Sequence, residues 1–142
     1  MEKIKGGCLC GAVRYSLSEK PIMTRACWCR VCQYFAAGSA TINMVFPVEA
    51  VEINGDLSDY VSTADSGNKM HRKFCPACGV HLFSYSEQRP HLLIVRAGTL
   101  DEPDNVNVEA LIWTSSAPKW AYLDPGIQHY EGQPPAPVIG NR

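Results

Sequence analysis

The chain has no surplus of positive charge. Thirteen Lys and Arg residues face fourteen Asp and Glu, a formal net charge of −1. A protein that grips nucleic-acid phosphates needs a basic excess to displace their counterions, so no nucleic-acid partner is expected. Nor does any apolar run approach the ~20 residues that span a bilayer. The longest clean run, Leu92-Leu93-Ile94-Val95, has the length of a buried strand, and no membrane partner is expected. The opening residues Met1-Glu2-Lys3-Ile4-Lys5-Gly6-Gly7 contain no apolar stretch of signal-peptide length, which leads to the expectation of a cytoplasmic protein. Internal repeats and low-complexity segments are missing. No segment sustains a capped 3.6-residue periodicity, which excludes a helical bundle.

What is present suits one β-rich domain. The 142 residues are 46% hydrophobic and 19% charged, enough apolar material for a real core. Residues 1–132 read as a single domain. The segment 133–142, opening on Gln133-Pro134-Pro135-Ala136-Pro137, reads as a Pro-rich tail. Val13, Tyr15 and Leu17 alternate with Arg14, Ser16 and Ser18, the period of a half-buried strand. Further strands are expected over Thr41–Phe46, Val48–Ile53, Leu57–Thr63, Met70–Phe74, Val80–Tyr85, Leu92–Ala97 and Val106–Trp113. Asn54-Gly55 between two such runs predicts a hairpin, because both residues tolerate positive φ. Arg30–Ala37 is expected to form a short helix. Lys69, His71, Arg72 and Lys73, the densest basic stretch, are expected on the wet face of a strand. The fold class is therefore mainly β, with short antiparallel strands joined by tight turns.

Seven cysteines set the chemistry. An odd number cannot pair completely, and disulfides are rare in reducing compartments, so metal is the better reading. They fall into three groups: Cys8-Leu9-Cys10, Cys27-Trp28-Cys29-Arg30-Val31-Cys32, and Cys75-Pro76-Ala77-Cys78-Gly79. Two cysteines separated by two residues can fold a turn around one ion, and a glycine after them relieves the backbone. A closed structural site takes four thiolates, which leaves three, and three protein ligands with one open position is the arrangement of a catalytic zinc. In one partition Cys8, Cys10, Cys75 and Cys78 form the closed site and Cys27, Cys29 and Cys32 the open one. In another, Cys29/Cys32 and Cys75/Cys78 form a zinc ribbon and leave Cys8, Cys10 and Cys27 over; their separation exceeds the ~15–20 residues common in that pattern. Spacing favours the first partition only slightly.

At these groups the sequence resembles the GFA family, named for the glutathione-dependent formaldehyde-activating enzyme and including centromere protein V. The resemblance runs through Gly6-Gly7-Cys8-Leu9-Cys10-Gly11-Ala12-Val13-Arg14-Tyr15, then Cys27-x-Cys29-x-x-Cys32 with Gly38, then Arg72-Lys73-Phe74-Cys75-Pro76-Ala77-Cys78-Gly79-Val80-His81-Leu82-Phe83. It continues through Ala97-Gly98-Thr99-Leu100-Asp101 and Ala117-Pro118-Lys119-Trp120 to Tyr130. It implies a β-tent of antiparallel sheets with cysteine zinc knuckles and two zinc ions. Cys8, Cys10, Cys75 and Cys78 would hold the structural ion, and Cys27, Cys29 and Cys32 the catalytic one. It further implies a carbon–sulfur lyase like S-hydroxymethylglutathione synthase, acting on a small-molecule thiol, glutathione-like, or its aldehyde adduct. Trp28 stands where the family often has His, and Gln33 where Arg often follows the third cysteine.

Several residues carry two readings. His71, His81, His91 and His129 are candidates to close the three-cysteine site, or ordinary surface and core histidines. Trp28 is expected to pack against the site and limit solvent. Trp113, Trp120 and Tyr122 suit pocket lining or core packing. Arg30 suits a substrate carboxylate or a solvated surface. Two other function classes compete with the enzyme: a non-enzymatic structural zinc module for protein interaction, and a redox protein built on Cys75-Pro76-Ala77-Cys78. Nothing in the sequence sets the oligomeric state.

Overall fold

In the computed structural model, which describes residues 3–63 and 67–135, alternation works as expected in β2 (Arg14–Leu17). Val13, Tyr15 and Leu17 are buried, while Arg14 and Ser18 are exposed. Strands β1 (Ile4–Gly7) and β5 (Val51–Asn54) flank β2 antiparallel and complete a three-stranded sheet.

The second sheet contains β3 (Met23–Cys27), β4 (Thr41–Pro47), β6 (Ser58–Thr63), β7 (Lys69–Phe74), β8 (His81–Ser86), β9 (Leu92–Arg96), β10 (Ala110–Ile112) and β11 (Gln128–His129). Their order is β11-β10-β3-β4-β9-β8-β7-β6. One short helix, α1 (Arg30–Phe35), follows β3. The protein is mainly β, with two open sheets, and the cysteines sit at strand ends and in turns. No helix among the described residues is long and apolar enough to cross a membrane.

The two faces of the large sheet differ in kind. Met44 and Phe46 of β4, Leu93 and Val95 of β9 and Phe83 of β8 meet Val13, Tyr15 and Leu17 of the small sheet in one core. The Tyr15 and Phe83 rings touch edge-on at 5.2 Å across it. Each fully buried Phe, Leu or Val there contributes about 1.5–3 kcal/mol. The residues between them point the other way, and cross-strand partners share a face. That face carries Cys27 opposite Thr41, Arg25 opposite Asn43, Asn43 opposite Arg96, and Arg72 opposite Ser84. All of these side chains are buried, so the second face is a polar interior.

The structure departs from the sequence expectation at several points. Asn54-Gly55 does not close a hairpin. β5 pairs with β2 in the small sheet, whereas β6 pairs with β7 at the edge of the large one. The turn is a crossing between sheets. Gly55 has φ of +116°, and a Cβ there would lie 2.4 Å from the Ala12 carbonyl oxygen, so the glycine is required by close approach as well as by its dihedral. Val48–Ala50 forms a 3-10 turn before β5 begins. The strand expected over Val106–Trp113 shrinks to β10, and β10 pairs in parallel with both β3 and β11. The basic stretch of β7 divides between faces. Lys73 and His71 meet Asp59, and His71 also meets Glu87, while Arg72 turns into the polar interior. Gln133 accepts a hydrogen bond from Trp113 Nε1 at 3.1 Å and Pro134 is buried; residues 136–142 of the expected tail lie outside the described residues.

A hairpin glycine at positive φ tolerates Asn, but the Ala12 carbonyl excludes any side chain. Gly55→Asn and Gly55→Ala are both expected to cost about 2 kcal/mol or more, read as equal losses in chemical unfolding. A tolerated Gly55→Asn would restore the hairpin reading.

Candidate metal centres

Two strand ends and two turns bring the first four sulfurs together. Cys8 and Cys10 follow β1, and Cys75 and Cys78 follow β7. The four Sγ atoms lie within 4.8 Å of one another. Cys8 and Cys10 are 3.6 Å apart and Cys10 and Cys75 are 3.7 Å apart. A zinc tetrahedron with ~2.3 Å bonds has edges of roughly 3.8 Å, so the sulfurs already stand at metal-ligand spacing.

Backbone amides point at these sulfurs. Val13 N–H donates to Cys8 Sγ at 3.2 Å, and the Ala77 and Cys78 amides donate to Cys75 Sγ at 3.4 Å. Such donors stabilise thiolates. The Val13 amide draws Cys8 below the ordinary thiol range. The Val80 amide, with that of Cys10, draws Cys78 down to about 6. Gly79, at φ +76°, turns its N–H back to the Cys75 carbonyl at 2.8 Å. Cys8 and Cys75 are buried in the core between the sheets, while Cys10 reaches the surface.

The second group is made by one short turn. Cys27 ends β3, Cys29 is the N-cap of α1, and Cys32 lies one helical turn on. Their sulfurs also lie within 4.8 Å of one another. The Cys32 amide donates to Cys29 Sγ at 3.3 Å. Cys27 and Cys29 both donate to Cys32 and draw it down to about 2, while Cys27, shared between Cys29 and Cys32, is pushed up. Cys29 is raised as well, so one thiolate is favoured beside two thiols, and a cation with an affinity for sulfur would draw off the remaining protons. None of the seven cysteines is in a disulfide. The ribbon partition, which would join Cys29 and Cys32 to Cys75 and Cys78, does not form.

No histidine among the described residues joins either sulfur group within that 4.8 Å spacing. His81 accepts at Nδ1 from Arg96 Nε at 3.2 Å, His71 bridges Asp59 and Glu87, and His129 Nε2 bonds the Asp124 carbonyl; His91 is exposed. Trp28 is buried and packs edge-on to Trp120 at 6.3 Å. Trp120 and Tyr122 are 70% and 80% exposed, so neither is core. Trp113 packs beside Cys27 and Cys32, with Ile112 and Tyr130. Arg30 meets no carboxylate among the described residues; it donates to Gln33 Oε1 and covers the Tyr34 ring.

Gln33 carries more than the sequence disclosed. It is buried, and its Nε2 donates to the Trp28 carbonyl at 2.6 Å and to the Ser116 carbonyl at 3.0 Å. It thus pins the Cys27–Cys32 turn to the 114–116 segment. The sequence hints were a polar residue one step past the third cysteine and its standing where the family it resembles often has Arg. Losing such an outer partner typically weakens metal binding about 10–100-fold. Gln33→Ala is therefore expected to weaken metal at Cys27, Cys29 and Cys32 by about ten-fold or more and leave the four-cysteine group unchanged, as read by chelator competition.

A family model described as glutathione-dependent formaldehyde-activating enzyme matches residues 3–116, a span that includes both sulfur groups. A crystal structure of a protein from Rhodobacter sphaeroides is similar in fold, with a TM-score of 0.57 and 21% identity over 89% of this chain and 98% of that one. No curated protein matches in sequence. With most of its length matched and both cysteine groups assembled, the chain belongs to the glutathione-dependent formaldehyde-activating enzyme family.

Proposed function

We propose that the protein is a zinc-dependent carbon–sulfur lyase-type enzyme that handles a thiol, glutathione-like, and its aldehyde adduct. One observation carries this reading: seven sulfurs divide into a group of four, which closes a tetrahedron, and a group of three, which does not. The first fits a structural zinc. The second fits a zinc with one position free for a substrate thiol. Such an ion, when bound, lowers the pKa of a thiol that reaches it and so supplies a thiolate at neutral pH.

The chain's own residues do the rest. Cys27, Cys29 and Cys32 supply the ligand set, and Gln33 fixes their turn. Trp113 and Tyr130 cover it and limit water. In the net reaction the thiol sulfur bonds to the aldehyde carbon, the carbonyl π pair becomes the hydroxyl oxygen's, and the thiol proton ends on that oxygen. In reverse the carbon–sulfur bond breaks and the same proton returns.

A second reading is a structural zinc module that docks a protein. Exposed Leu9, Tyr34, Trp120 and Tyr122 support it. The two differ in metal count. Elemental analysis after purification without chelator is expected to give about two zinc ions per chain. Cys27→Ser should lose one of them together with thiol binding, while keeping the fold. Cys75→Ser should lose the other and unfold more readily. A Cys27→Ser protein with both zinc and thiol binding intact would overturn the enzyme reading.

A further inference from the structure

Next to the three-cysteine group the polar interior holds more hydrogen-bond donors than acceptors. Arg96 is buried, and its neighbours are Asn43, whose Oδ1 accepts from it, and His81, whose Nδ1 accepts from its Nε at 3.2 Å. Because His81 accepts at Nδ1, the neutral ring carries its hydrogen on Nε2. That Nε2 is buried without a hydrogen-bond partner. Arg72 is likewise buried and donates to Ser62 Oγ at 2.6 Å, but its Nε has no partner. Thr41, opposite Cys27 across β3 and β4, is buried as well, and its Oγ1 has no hydrogen-bond partner. These three are the unpartnered buried side-chain polar atoms among the described residues, and all lie in this cluster. No carboxylate among the described residues pairs with Arg72 or Arg96.

A groove opens onto it. Its volume is about 530 Å³, and Arg96, His81, Thr41, Phe35, Ile42 and Val80 are among its lining residues, a size suited to a small ligand. Phe35 forms a wall, stacked on His81 at 4.6 Å and lying under the Arg72 guanidinium at 5.3 Å. The register places Arg96 opposite Asn43 and Cys27 opposite Thr41. Arg96 therefore stands one side-chain repeat, about 7 Å, along the sheet and two strand spacings, about 10 Å, across it from Cys27.

Excess donors, two buried guanidiniums without a carboxylate among the described residues and an apolar wall call for an acceptor-only anion. A carboxylate is that group, and it meets a guanidinium through two charge-assisted bonds. We propose that the groove is a carboxylate subsite, with Arg96 as the binding residue and His81 and Arg72 behind it. The substrate of the three-cysteine site is then a thiol bearing a carboxylate a few atoms from its sulfur. This deepens the proposed function and rests on it for the thiol, though not for the carboxylate.

The test is calorimetric titration of zinc-loaded protein with 3-mercaptopropionate, with its neutral amide 3-mercaptopropionamide, and with propionate. The acid is expected to bind about ten-fold or more tightly than the amide. Arg96→Gln should abolish that preference and leave the amide's affinity unchanged; Arg96→Lys should restore part of it. Equal binding of acid and amide to the unaltered protein overturns the subsite and leaves the arginines as counter-charges for the thiolates. If neither thiol binds, the thiol reading fails separately, and propionate decides the subsite: binding that Arg96→Gln removes upholds it, and no binding overturns it.

Discussion

Four sulfurs join the two sheets. Cys8 and Cys10 hang from the small sheet and Cys75 and Cys78 from the large one, so the group is a clasp between layers that otherwise meet through apolar contact. The segments it joins lie 65 residues apart in sequence. Closing a loop of that length costs roughly 4 kcal/mol. A structural zinc in small modules contributes about 10–16 kcal/mol, so a clasped metal outweighs the closure several times over. The core on either side of it, with Tyr15 against Phe83, packs between the same two sheets that the clasp joins.

The large sheet serves two ends with alternate residues. In β4 the side chains of Met44 and Phe46 build the core, while those of Thr41 and Asn43 face the polar interior that Cys27 shares. In β9, Val95 belongs to the first face and Arg96 to the second. Fold and candidate site are therefore written into the same strands one residue out of step. A substitution that keeps a strand's β propensity can still damage either face alone.

Much of this was legible in the sequence because it is local. The cysteine motifs show in their spacing, which favoured the four-plus-three partition only slightly and left the family resemblance to imply it, and β2 follows from its alternation. What was not legible depends on partners far away in the chain. Asn54-Gly55 has the signature of a hairpin because positive φ is a local property; that the chain crosses to another sheet is decided by Ala12 and by which strands β5 and β6 find. β3 escaped notice because four of its five residues are buried, so it shows no two-residue period. Arg72 read as one charge in a wet basic stretch, and Arg96 lay unremarked inside the expected strand Leu92–Ala97. Only the pairing of β7, β8, β9 and β4 brings them to one face. The antiparallel expectation failed at β10 for a similar reason: a three-residue strand has too little sequence to declare its direction.

The cover of the three-cysteine turn comes from late in the chain. Trp28 N–H bonds the Ile112 carbonyl, and Trp113 and Tyr130 close over Cys27 and Cys32. About a hundred residues separate the thiols from Tyr130, which at ribosomal rates of ~5–20 residues per second is a delay of roughly 5–20 s. During synthesis the three thiols thus emerge early and stand uncovered for seconds before the last strands shut over them. That interval is a window for loading metal, and equally for oxidation, and its length is set by the order of the strands along the chain.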